Sequence, residues 1–165
     1  MTDQPFSAIK GEVKPEDLAA GITGPGLSFP IQDCQRIYYP YDWHVFRYRA
    51  RTILGATTTL VSCLVDTRTR VCATADPFRL ETRTAADDWM LGRRLDRDTA
   101  LGLARRYADL AARRKNKALV LPRVDVVESR PVYKPFWVTH CNPGSGAAQT
   151  MLIDGVTGDY CTLRG

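Results

Sequence analysis

The chain of 165 residues has no apolar run approaching the ~20 residues that span a bilayer, so no membrane-spanning helix is expected. Its first residues, Met1-Thr2-Asp3-Gln4-Pro5, lack a basic start and an apolar core. A secretory signal is therefore not expected, and a cytoplasmic protein is. No CxxC occurs. The five cysteines (Cys34, Cys63, Cys72, Cys141, Cys161) are an odd, scattered set, which argues against a disulfide scaffold and for small buried hydrophobes. Histidine is scarce, with His44 and His140 only. A zinc site needs about four ligands, commonly in close pairs, and only Cys63 with Cys72 and His140 with Cys141 stand near each other. The expectation is no metal and no cofactor. Adjacent strand residues point to opposite faces, so His140 and Cys141 cannot readily serve each other. His44 with a distant cysteine keeps a small Cys/His-dependent enzyme as a third functional reading.

What is present is ordinary for a globular protein: 44% hydrophobic and 25% charged residues. A chain of this size buries ~70% of its unfolded surface and needs no staple. The net charge of +5 is concentrated. Between Arg93 and Arg123 ten basic residues accompany three acids, a local +7, which leaves −2 for the remainder.

Residues 1–30 are rich in Pro and Gly and read as an irregular arm carrying one short helix at Pro15–Ala20, with proline in its first turn and acids at its positive end. Aromatic and β-branched residues from Trp43 to Tyr48 predict a strand, and Thr57–Val65 predicts the clearest strand of the first half. Val71–Thr74 returns as a third. Residues 98–117 predict the longest helix, capped by Asp98 or Thr99. Leu103, Tyr107 and Leu110 fall on its buried face, and Arg106 and Arg113 outside. Strands follow over Val124–Cys141, Ala148–Ile153 and Asp159–Leu163. The fold class expected is α+β: two pseudo-repeated antiparallel meanders with one long covering helix. The boundaries are 1–30 for the arm, 31–87 for the first meander unit and 88–165 for the helix and second unit, in a single compact domain.

The repeat rests on two segments. Ile37-Tyr38-Tyr39-Pro40-Tyr41-Asp42-Trp43 and Val132-Tyr133-Lys134-Pro135-Phe136-Trp137 each run from a β-branched residue through tyrosine, proline and an aromatic to tryptophan. Each is followed by an apolar strand ending in aspartate, Leu64-Val65-Asp66 or Leu152-Ile153-Asp154. The hydrophobic-Asp-x-x-Thr-Gly hairpin of Ile153, Asp154, Thr157 and Gly158, behind a helix, resembles the PepSY-type unit of peptidase propeptides over residues 98–163. A fainter echo covers 37–74. The resemblance implies a binding or inhibitory module without catalytic residues. Gly158 is expected at positive φ.

Three readings of function follow. The leading one is a non-enzymatic accessory module that binds a protein or peptide, with a homodimer as one form it could take. It uses edge segments that carry Tyr38, Tyr41, Trp43, Tyr133, Phe136 and Trp137, because proline suits sheet edges and aromatics suit interfaces. The alternative is an anion or nucleic-acid binder using Arg105, Arg106, Arg113, Arg114 and Lys117 on the helix, although no recognised nucleic-acid motif accompanies them. The Cys/His enzyme is third.

Overall fold

The computed structural model describes residues 5–19, 22–24, 27–29, 31–84, 89–115, 123–141 and 149–163. Eleven strands and two helices occur among them: β1 (Pro5–Ile9), α1 (Pro15–Ala19), β2 (Ile22–Gly24), β3 (Leu27–Phe29), β4 (Ile31–Thr52), β5 (Gly55–Asp66), β6 (Cys72–Thr74), β7 (Leu80–Thr84), β8 (Trp89–Met90), α2 (Arg97–Lys115), β9 (Arg123–Cys141), β10 (Gln149–Asp154) and β11 (Tyr160–Leu163). The protein is mostly β, which corrects the expected α+β class. Its main sheet is mixed, with order β11-β10-β9-β4-β5-β6. The sheet gains parallel pairings of β1 with β9 and β8 with β4, and an antiparallel pairing of β1 with β7. A second helix, α1, accompanies α2. The N-terminal segment is not irregular, since β1, β2 and β3 lie in it. Strands of two to five residues carry no periodic signal, which is why this sheet content was not readable locally.

The chain divides into two compact units that interleave in sequence. One comprises Met1–Tyr39, Arg79–Leu91 and Tyr133–Gly165; the other comprises Pro40–Phe78 and Gly92–Val132. In the second unit β4 pairs with β5 from Tyr41↔Asp66 to Thr52↔Gly55, and β5 pairs with β6. Alternation puts Phe46, Tyr48, Val61, Cys63 and Val65 on one face, beneath α2. The covering stripe of α2 is Ala100, Ala104, Ala108 and Ala112, all buried at i, i+4 spacing. Alanine lets the helix backbone settle close to the strands, with the Cys63 thiol 4.0 Å from the Ala104 carbonyl oxygen. Leu103 and Tyr107 are partly buried at its flank, whereas Leu110 is 60% exposed, a correction to the expected buried face. The cap is Asp96, not Asp98 or Thr99: its carboxylate accepts from the Thr99 amide (2.8 Å) and hydroxyl (2.7 Å).

In the first unit β9 pairs with β10 from Phe136↔Asp154 to Cys141↔Gln149, and β10 with β11. Leu18 of α1 packs with Trp137, Met151 and Ile153.

The two hairpin turns match bond for bond. Asp66 Oδ1 accepts from the amides of Arg68 and Thr69, and Asp154 Oδ1 from those of Val156 and Thr157. The Asp66 amide donates to Val71 O (2.8 Å) and the Asp154 amide to Asp159 O (2.7 Å). Arg70 (φ 66°) and Gly158 (φ 81°) hold the left-handed position, each donating its amide to the aspartate carbonyl at 2.9 Å.

Candidate functional site

The prolines that suggested sheet edges lie inside the two long strands. In the sheet order β4 stands between β9 and β5, and β9 between β10 and β4, so the edge expectation is corrected. Pro40 and Pro135 are tolerated because each sits one residue beyond the end of the ladder with β5 or β10, where no amide is required of that pairing. Their carbonyls are used: Pro40 O accepts from Thr67 N (3.4 Å) and Thr67 Oγ1 (2.9 Å), and Pro135 O from Gly155 N (2.9 Å).

Strand alternation also divides the six aromatic candidates. Tyr38 and Trp137 are buried in the first unit. Tyr133 is partly buried, with Phe6 making edge contacts to both Tyr38 (5.0 Å) and Tyr133 (5.2 Å). Phe136 meets Tyr39 at 6.0 Å and Lys134 at 5.3 Å. Tyr41 and Trp43 belong to the second unit. There Trp43 donates to Ser62 Oγ (2.9 Å), with Phe78 at 5.0 Å and the Arg130 guanidinium 5.3 Å over its ring. Arg105, Arg106, Arg113 and Arg114 are exposed on α2, and Lys117 lies outside the described residues. Tyr38 and Trp137, being buried, are not part of an exposed aromatic surface.

Two of them, Tyr38 and Trp137, line a cleft of about 210 Å³ in the first unit. The segment after β1 builds one wall. Glu12 N and Val13 N both donate to Gly155 O at 3.0 Å, tying this segment to the β10–β11 turn. Trp137 Nε1 donates to Val13 O (3.3 Å), and the Arg36 guanidinium lies 4.6 Å over the Trp137 ring. Gly155 allows this closeness, because a Cβ there would stand 2.7 Å from Pro135 O. Lys10, Lys14, Arg36 and Arg83 line the cleft against a single acid, Glu81, which pairs with Arg83 at 2.9 Å. Those four are more than half of the unit's seven cations, in a unit whose sequence carries ten acids and a net charge of −3. The clustering of positive charge is local to the cleft. Sequence reasoning missed these residues because positions 10 and 14 lie in the β1–α1 connection, 36 on β4 and 83 on β7; only the i, i+2 spacing of Arg36 and Tyr38 hinted at a shared face.

Among the described residues a buried Cys/His pairing occurs between two strands. His44 on β4 stands directly opposite Cys63 on β5, and both are buried. Burial pushes the Cys63 thiol up to about 12 and holds His44 below its ordinary value, so the pair is a neutral thiol beside a neutral imidazole. It does not supply an accessible thiolate. His140 is exposed, 3.1 Å from Thr150 Oγ1. Among the described residues no three of His, Cys, Asp and Glu come together as metal ligands, and no helix is long and apolar enough to cross a membrane. Compared with protein-family models, with curated proteins and with solved structures, the chain matches none.

Proposed function

We propose that this chain is a non-enzymatic binding module that anchors an acidic segment of a protein or peptide in the Trp137 cleft. The observation that carries this reading is the convergence of Lys10, Lys14, Arg36 and Arg83 around buried Tyr38 and Trp137. A cavity of about 210 Å³ is smaller than the ~300–1,000 Å³ sites that enclose small-molecule ligands. Its size suits one anchoring side chain or chain terminus, with the rest of the partner lying outside. The aromatic floor supplies apolar contact and the guanidinium of Arg36 a planar fork for a carboxylate. The PepSY-like hairpin supports the same non-catalytic class.

The test uses an array of short peptides containing Glu or Asp, each paired with its Gln or Asn counterpart, read by Trp fluorescence and calorimetry. Acidic members should bind and their amide counterparts bind at least tenfold more weakly, a charge-assisted contact being worth about 1.5–3 kcal/mol. Arg36→Gln and Lys14→Gln should remove the difference while leaving the unfolding midpoint in place. Equal binding of acidic and amide peptides, or unchanged binding by both variants, would sink the proposal.

A further inference from the structure

The second unit has the opposite electrostatic character to the first. Its sequence holds sixteen Lys or Arg against eight Asp or Glu, a net +8, and fourteen of the sixteen are arginine. Arginine predominance suits phosphodiesters, which its planar fork engages through two hydrogen bonds at once. Part of this charge is organised along the distal half of the β4–β5 hairpin. There Arg47, Arg49 and Arg51 face the same side, opposite Leu60, Thr58 and Ala56 in the register. No acid occurs between Arg47 and Leu60 in sequence. Arg49 makes one ion pair, with Asp125 at 3.3 Å, and that acid is shared with Arg123 at 3.6 Å. At the tip the turn residues are Ile53, 94% exposed, and Leu54, 100% exposed. Hairpin turns favour Gly, Asn and Asp, so two adjacent bare aliphatics are not there for turn geometry.

We propose that this ribbon is a duplex-DNA-binding arm, with Arg47, Arg49 and Arg51 set along the phosphates and Ile53-Leu54 entering the minor groove as an apolar wedge. Alternate strand residues are ~6.8 Å apart, so the three arginines follow a line of ~14 Å. Phosphates recur every 3.4 Å of axis per strand, so the same line spans about four base steps. A lipid surface would instead favour cations in one plane near the tip, because interfacial segments sink only ~5–10 Å. Arg47 stands six residues from Ile53, ~20 Å along an extended strand, too far back for that plane. Apolar side chains inserted between base steps unstack and kink DNA, and a fully exposed Ile-Leu tip is suited to that role. This reading is independent of the Trp137 cleft.

The experiment titrates the whole chain onto a labelled duplex of about 20–30 bp, with its single strand and phosphatidylserine vesicles as competitors. Bending is read by energy transfer between the duplex ends. Binding should weaken steeply with salt. The Arg47→Gln/Arg49→Gln/Arg51→Gln variant should lower affinity at least tenfold and reduce the log–log salt slope by about 2–3. Ile53→Ser/Leu54→Ser, at exposed positions, should abolish bending and leave the salt slope unchanged. The proposal is overturned if the single strand competes as well as the duplex, or if vesicles bind in a tip-dependent way while duplex bending is absent. It also fails if only substitution of Arg105, Arg106, Arg113 and Arg114 weakens binding, which would move the site to α2, or if no salt-sensitive binding is seen.

Discussion

Gly155→Ala should destabilise the protein by about 2–4 kcal/mol, and the structure contains its own control. A Cβ at Gly155 would lie 2.7 Å from Pro135 O, 3.1 Å from its carbonyl carbon and 3.2 Å from its Cβ. Two of those atoms are backbone, so no side-chain rotation relieves the contact. At the matching place in the other hairpin the residue is Thr67, which does carry a Cβ. There the amide-to-carbonyl distance to Pro40 is 3.4 Å, against 2.9 Å for Gly155 to Pro135. Accommodating a side chain thus opens the turn by about half an ångström, and Thr67 compensates by donating its hydroxyl to Pro40 O at 2.9 Å. Alanine has no such donor. The shift would also move Gly155 O, which holds the amides of Glu12 and Val13. Overpacking of this kind costs about 1–3 kcal/mol, and weakening two hydrogen bonds adds about 1 kcal/mol. Urea unfolding should show a lower midpoint at unchanged slope. Because the moved segment forms a wall of the cleft, Trp137 emission should shift in the native baseline as well. A midpoint within error of the parent would refute the reasoning.

Gly158→Val should cost roughly 1 kcal/mol or more at φ 81°, whereas Arg70→Gly at φ 66° should be neutral or stabilising by up to about 1 kcal/mol; paired urea titrations compare the two directly. His44 is held below its ordinary value by burial, so between that lowered value and about 6.5 the unfolded chain binds a proton that the folded chain refuses. Stability should therefore fall as pH drops below about 6.5, with a slope contribution of no more than ~1.4 kcal/mol per pH unit, and His44→Leu should lose that contribution. Unfolding free energies at pH 5.0 and 7.5 that change equally in both proteins would show that His44 is not the group responsible.

Local pattern carried the reading where elements are long and one-sided. Residues 57–65 lie in β5 and alternate in burial from Val61, the Ala-rich run lies in α2, and the Asp-x-x-Thr-Gly string ends in a left-handed glycine. It failed where partners are distant or short. Pro5–Ile9 shows only that a strand is permitted; its ladder to Leu80–Thr84 and its parallel contact at Tyr133 are chosen by residues far along the chain. Proline points to a sheet edge, yet β4 runs 22 residues through Pro40 and stands between β9 and β5, because the amide it lacks is not needed at the end of the β5 ladder. In α2 hydrophobic size misled. Leu110 drew the face towards itself, while close packing selected the small residues Ala104 and Ala108. The Trp137 cleft was invisible for the same reason as β1, since four cations from three separate stretches of the chain have no spacing in sequence.

The two hairpins share a scaffold and differ in what stands beside it. Counting from the residue paired with each aspartate, Tyr41 for Asp66 and Phe136 for Asp154, the next strand position is Asp42 in one unit and Trp137 in the other. Both are buried. Asp42 is met by both guanidinium nitrogens of Arg93, at 2.6 and 2.7 Å, so the charge is answered internally. Trp137 offers a ring under Arg36 instead, and a cleft opens there. Two steps further stand His44 and Thr139, each buried with side-chain polar atoms that find no partner among the described residues. What distinguishes the units is decoration. The same turn geometry carries Thr67 and Arg70 in a unit of charge +8, and Gly155 and Gly158 in a unit of charge −3. Gly155 permits the close approach that shapes the cleft, and the extended β4–β5 hairpin bears the arginines. One hairpin chemistry thus stands in two units of opposite net charge.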